Sequence, residues 1–156
     1  MNETNNLKRK SKALAYITRQ SSQGFELLVH VHKDFPEAGV QVPAGTIDAD
    51  ETAEQACLRE AFEESGIQNL QVASVLGDTE IIADWDNGNT HHRHFFHLIA
   101  PGSLPDNWSH KVTSGIADTG LIFNYFWLKL SQKIILEAKQ HAKIGALLEI
   151  LENEKR

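Results

Sequence analysis

At 156 residues, 41% of them hydrophobic and 23% charged, the chain has the length and composition of one domain with a sizeable core. Its formal charge of −6 argues against extended nucleic-acid binding, which needs a basic stripe tracking many phosphates, and any phosphate-bearing ligand must be met by local cations. The lone Cys57 cannot form an internal disulfide, and with neither a signal-peptide core nor an apolar run of about eighteen residues, the expected location is the cytoplasm, away from membranes.

In chain order, residues 1–11 read as a flexible tail and 12–156 as the single domain, with Lys8, Arg9, Lys10 and Lys12 a solvated basic run at the junction. Segments 13–19 and 25–32 read as strands joined by the polar run 20–24, and an extended piece at 40–43 leads into Gly45. The helix over 53–65 is set by its flanks: Thr52 and Gln55 make a capping box, and Gly66 supplies the left-handed residue that ends it. On that helix Ala53, Ala56, Cys57, Glu60, Glu63 and Glu64 share a stripe, small in its first half and acidic in its second. Leu58, Ala61 and Phe62 form a second apolar side, which predicts a helix covered from two directions with its acidic end open to a cleft. Strands follow at 72–75 and 80–85 and, after the hairpin signal Asn87-Gly88, at 90–99; a further strand at 121–130 precedes an amphipathic helix over 132–151 capped by Ser131. Strands before, between and after two helices point to an α/β fold with a mixed sheet covered by helices.

The chemistry lies in the acidic half of the first helix. Carboxylates at i, i+3 and i+4 are surface neighbours that repel by a few tenths of a kcal/mol per pair. Because Glu60, Glu63 and Glu64 continue the apolar line, they border the core where a solvated acidic face would oppose it. A bound cation reverses the sign of their interaction, and an all-oxygen set selects a hard ion such as Mg²⁺, with Mn²⁺ as a substitute. Arg59, between the two stripes, is placed to fix the carboxylate rotamers through charge-assisted hydrogen bonds. Glu51 reads equally well as an acid at the positive end of the helix.

Gly45, Glu51, Arg59, Glu60, Glu63, Glu64 and Gly66, with Ile67 in the last aliphatic place and the smaller Ala61 in the other, resemble the Nudix box, G-x5-E-x7-R-E-U-x-E-E-x-G-U, in which U is aliphatic. The resemblance implies an α/β/α sandwich with a mixed central sheet, and a metal held by the Gly45 carbonyl with Glu60, Glu63 and Glu64. It also implies Mg²⁺-dependent cleavage of the pyrophosphate bond of a nucleoside diphosphate linked to another group. Glu63 or Glu60 is the expected general base ahead of Asp118 in the loop 114–120, with Arg59 orienting the acids. The family's marker proline for ADP-sugars and marker tyrosine for dinucleoside polyphosphates would fall at Ile82 and Asp84 and are absent. A non-nucleotide diphosphate or a 5′ end of RNA is therefore an alternative substrate, and a nucleotide-binding module without catalysis is an alternative class. Such a module can lose box glutamates, which this chain keeps. The expected partner is a small nucleotide-type diphosphate, and a homodimer is compatible with the sequence.

The run Thr90 to Ile99 is apolar on both faces toward its end and basic at its start, which suits a central strand. His92 and His94 share one face and Arg93 the other; all three are candidate phosphate contacts, the arginine fork being the best suited. His91, His92, His94 and His97 lack any recognised zinc spacing. Trp85, Trp108 and Trp127 each read either as a stacking surface for a base or as core.

Overall fold

A computed structural model describes residues 6–113 and 119–154. β1 (Arg9–Ser21) runs down the middle of the sheet, with β5 (Asn89–Ile99) parallel on one side. On its other side lie β2 (Gly24–His32) and β3 (Ala44–Thr46), both antiparallel to it. β4 (Gln71–Ala83) extends the sheet beyond β5, while β7 (Ile122–Lys129) and then β6 (Trp108–Lys111) extend it beyond β2. The order β4-β5-β1-β2-β7-β6, with β3 on β1, makes one mixed sheet of seven strands.

Period-two alternation along β1 sends Ala13, Ala15 and Ile17 to one core and Leu14 and Tyr16 to the other. The first core is covered by α1 (Ala53–Ser65) and the second by α2 (Ile144–Glu154), so the molecule is the expected α/β/α sandwich. Ala56, Cys57 and Ala61 let α1 approach the sheet until the Cys57 sulfur lies 3.6 Å from the Leu14 carbonyl. Full burial of side chains such as Leu14, Leu28 and Leu147 stabilises the fold by about 1.5–3 kcal/mol each. Among the described residues no helix is long and apolar enough to cross a membrane.

The structure departs from the sequence reading at several places. β1 begins at Arg9, so residues 9–11 are sheet where a tail was expected: Arg9 pairs with Thr90, and the Lys8 amide donates to Asn89 Oδ1 at 2.9 Å. The two short strands at 72–75 and 80–85 are one strand, β4, whose register shifts between Val72 and Ser74 and again between Val75 and Gly77, and these bulges break the alternation. The helix expected over 132–151 forms only from Ile144. Its first half instead lies across the sheet, because its backbone is claimed by other partners. Glu137 N donates to the Val40 carbonyl at 2.9 Å, the Tyr16 hydroxyl donates to the Gln140 carbonyl, and Gln140 Oε1 accepts from the Val42 amide at 2.8 Å. Ala138 and Lys139 are left-handed there, at φ 51° and 57°, which no helix interior allows. The second apolar side of α1 is not fully covered either, since Phe62 is half exposed.

Candidate active site

α1 is held at both ends. Thr52 Oγ1 accepts from Gln55 N at 3.1 Å and Gln55 Oε1 from Thr52 N at 2.9 Å, completing the capping box, while Gly66 ends the helix at φ 78°. β6, which the sequence reading missed because its four residues are only half buried, finishes the job: Trp108 Nε1 donates to the Ser65 carbonyl and His110 Nε2 to the Glu63 carbonyl, each at 3.0 Å. With Gly66 N donating to the Phe62 carbonyl, three carbonyls of the last turn of α1 are satisfied, and the acids on it have a fixed base.

Arg59 gathers the acids around itself. Its Nε and Nη2 bind Glu51 at 3.0 and 2.5 Å, its Nη1 reaches Glu60 at 2.8 Å and Glu63 at 3.4 Å, and Nη2 also donates to the Thr46 carbonyl at 3.0 Å. The hydrogen bonds from Arg59 hold the Glu51 carboxyl below the usual carboxylate range, and the same bonds push the guanidinium up. Glu64 is 4% exposed, and its Oε1 accepts from the Ala44 amide at 3.1 Å. β3 lies directly against this group: a Cβ built on Gly45 would fall 2.0 Å from the Glu60 carboxyl carbon.

A cavity of ≈ 880 Å³ connects this acidic end with the start of β5. Glu60, Glu63, Glu64, Arg59 and Gly45 line one part, and Arg93, His91 and Trp85 another. Arg93 is 4% exposed and donates to the Ala138 carbonyl; burial pulls its pKa down from the ordinary arginine value, but the group stays charged. His92 and His94 do not reach the cavity. Alternation along β5 turns them to the other face of the sheet, where His92 Nε2 meets Asp78 Oδ2 at 2.5 Å and the two imidazoles lie 4.2 Å apart. Of the two faces that the sequence left open for phosphate, the arginine face is the one that borders the acids. Asp118 lies outside the described residues.

Lys12, placed by the sequence in a solvated basic run, lines the cavity and binds Thr46 Oγ1 at 2.6 Å. Its parity with Leu14 and Tyr16 on β1 was the available signal. Trp108 and Trp127 are structural: the first stacks on Tyr125 at 5.0 Å, and the second lies 4.3 Å beneath the Arg19 guanidinium.

The donor set suits a hard divalent cation in kind, being carboxylate and carbonyl oxygen throughout, and the bare Cα of Gly45 gives the Glu60 carboxylate room against the β3 backbone. As the side chains stand, no three carboxylate, imidazole or thiol groups among the described residues converge on one point. Glu60 and Glu63 are turned toward Arg59, so ion binding would draw them away from the guanidinium.

No curated protein matches the chain. Solved structures with the same fold include an Ap4A hydrolase of C. elegans in a binary complex, with TM-score 0.68 and 18% identity over 92% of this chain and 98% of that one. The M. smegmatis Nudix hydrolase RenU gives 0.64 and 19% over 94% and 88%, and the NUDIX domain of Shewanella oneidensis NrtR complexed with ADP ribose gives 0.65 and 16% over 97% and 94%. The model of the NUDIX domain family matches residues 8–148, nearly the whole length, and it takes in the acidic helix, Gly45 and the cavity between them. The chain belongs to the NUDIX domain family and is on that account a pyrophosphohydrolase.

Proposed function

We propose that the protein hydrolyses the pyrophosphate bond of a nucleoside diphosphate linked to another group, with Mg²⁺ or Mn²⁺ at the acidic end of α1. The observation that carries this reading is the single cavity in which clustered carboxylates on a capped helix face a buried arginine. The naming of one similarly folded protein as an Ap4A hydrolase, and the ADP ribose complexed with another, support a substrate of this class.

Glu60, Glu63 and Glu64, with the Gly45 carbonyl, would hold the cation, which when bound neutralises phosphate charge and acidifies a coordinated water. Glu63, within reach of Arg59 but bonded to it only at 3.4 Å, is the acid we assign as general base, with Glu60 as the alternative. A water oxygen attacks one phosphorus as Glu63 takes the water's proton; the new P–O bond forms, the bridging P–O bond breaks, and its electron pair leaves with the departing phosphate. Arg59 orients Glu60 and Glu63 through its hydrogen bonds and touches no substrate in this scheme. Arg93, charged and facing the cavity, meets phosphate oxygens through whichever N–H groups Ala138 does not occupy. The enzyme works on small molecules in the cytoplasm, without membrane or extended nucleic-acid contact. A screen of nucleoside diphosphate derivatives with Mg²⁺ or Mn²⁺, following phosphate-containing products, tests the reading. Turnover of at least one derivative that is lost in Glu63→Gln is expected; no turnover of any would overturn it.

A further inference from the structure

A nucleoside diphosphate carries a flat heteroaromatic ring as well as phosphates, and the far wall of the cavity offers that ring a surface. Trp85 lines the same cavity as Glu60, Glu63 and Glu64, yet it is 62% exposed. Indoles dominate core energetics because they bury so much area, so this one, left open on a cavity wall, is apolar stacking surface that no partner among the described residues covers for most of its area.

The turn carrying Trp85 is tied down. Asp86 Oδ2 accepts from Lys10 Nζ and from His91 Nε2, both at 2.8 Å, which pins the 3₁₀ turn Asp84–Asp86 to β1 and β5. Asn87 and Gly88, at φ 55° and 76°, reverse the chain, and Gly88 N donates to the Ala83 carbonyl at 2.9 Å. The indole itself is braced from within: His91 meets it nearly perpendicular at 5.7 Å between centroids, and the Arg93 guanidinium lies 6.0 Å from its centre. A side chain so positioned loses little freedom when a ligand ring settles on it.

The spacing across the sheet fits as well. Arg93 pairs with Lys12 on β1, and Lys12 pairs with Thr46 on β3, beside the Gly45 that abuts Glu60. Two strand spacings, about 10 Å, therefore separate the arginine's backbone from the strand behind the acids. The cavity that takes in Arg93 and the acids therefore spans this width, and with Trp85 also on its lining it has room for a nucleoside diphosphate.

We propose that the Trp85 indole, backed by Arg93, is the surface on which the nucleobase of the substrate stacks, an assignment that rests on the reading of the cavity as a nucleoside diphosphate site. Binding of ADP and of inorganic pyrophosphate, each with Mg²⁺, is measured calorimetrically for the wild type, Trp85→Ala and Trp85→Phe, with intrinsic tryptophan fluorescence recorded alongside. Trp85→Ala should weaken ADP between about fivefold and a hundredfold, the range for one stacked base, while pyrophosphate stays within about twofold. Trp85→Phe should keep most of the ADP affinity and lose the fluorescence quench that ADP causes in the wild type. ADP binding to Trp85→Ala within about twofold of wild type overturns the assignment while leaving the substrate class standing. A wild type that binds pyrophosphate and ADP equally tightly also overturns the assignment, and one that binds neither overturns the reading of the site together with it.

Discussion

The Cα of Gly45 sits so close to Glu60 that a single added methyl group would fall 2.0 Å from the carboxyl carbon. Gly45 lies in β3 with no left-handed backbone demand, so alanine fits its conformation, and the nearest atoms an added Cβ would displace are the carboxyl group of the Glu60 side chain. Gly45→Ala should therefore leave the melting temperature within a few degrees of wild type while moving Glu60 off its position and lowering kcat at least tenfold. Retained kcat in a well-folded Gly45→Ala protein would remove Glu60 from the reacting centre.

Glu63→Gln tests the base directly. Loss of a general base lowers kcat by about 10² to 10⁴. Folding should be unharmed or improved, since one charge leaves a crowded acidic turn and Arg59 keeps Glu51 and Glu60. Glu64→Gln is expected to lose activity as well and still fold, because the amide oxygen can take over acceptance from the Ala44 amide. Wild-type turnover of either variant at saturating metal refutes its assignment.

Metal dependence has two readouts. Activity should disappear with excess chelator and return with Mg²⁺ or Mn²⁺, and the same ions should raise the melting temperature of the wild type more than that of Glu63→Gln, as expected for a ligand that binds the folded state. Full turnover in chelator sinks the metal assignment.

How far the sequence could be read follows from how local each determinant is. The acidic helix was legible to its end residues because Thr52, Gln55 and Gly66 are chemically committed to caps, and the stripe from Ala53 to Glu64 has one period. The segment 132–143 was not. Its helical pattern is real, but Val40, Val42, Tyr16 and Arg93, all remote in sequence, claim its backbone or side-chain groups, and no local window contains that competition. β4 failed for the reverse reason: its bulges shift the alternation within one strand, so it reads as two. In the site, His92, Arg93 and His94 were correctly split between faces, yet which face held the cavity depended on where α1 and β3 pack.

Arg93 carries both a structural and a substrate role, and the two separate in experiment. Removing its side chain takes the donor from the partly buried Ala138 carbonyl, which should cost about 1 kcal/mol of stability and lower the melting temperature. If it also grips phosphate, Arg93→Ala raises KM, and a charge-assisted contact of about 1.5–3 kcal/mol corresponds to a tenfold to hundredfold loss in kcat/KM. Lysine should restore only part of the loss. A destabilised Arg93→Ala protein with kcat/KM within about twofold of wild type would leave the residue with the structural role alone.

His30 makes acid sensitivity a property of the core, separate from the site. It is 2% exposed between Phe123, on which it stacks at 4.3 Å, and Tyr125, and among the described residues neither ring nitrogen has a hydrogen-bond partner of normal geometry. Burial, with a smaller push from His32, pulls its pKa down to about 3. The unfolded chain takes up a proton at its ordinary value of about 6.5 while the folded protein does not until about 3, so the stability associated with neutral His30 is fully present above pH 6.5 and is lost progressively as pH falls through that window. Between pH 7.5 and pH 5 this group alone should lower the unfolding free energy by about 2 kcal/mol. Carboxylates held low by partners, such as Glu51 and Asp86, lose their contributions at lower pH, near and below the usual carboxylate range. Urea unfolding at several pH values from 5 to 7.5 isolates the histidine: His30→Phe should show a slope flatter than wild type by nearly one proton at pH 5.5, whatever its absolute stability. Parallel slopes for the two proteins would show that His30 is protonated, or reaches water, in the folded state.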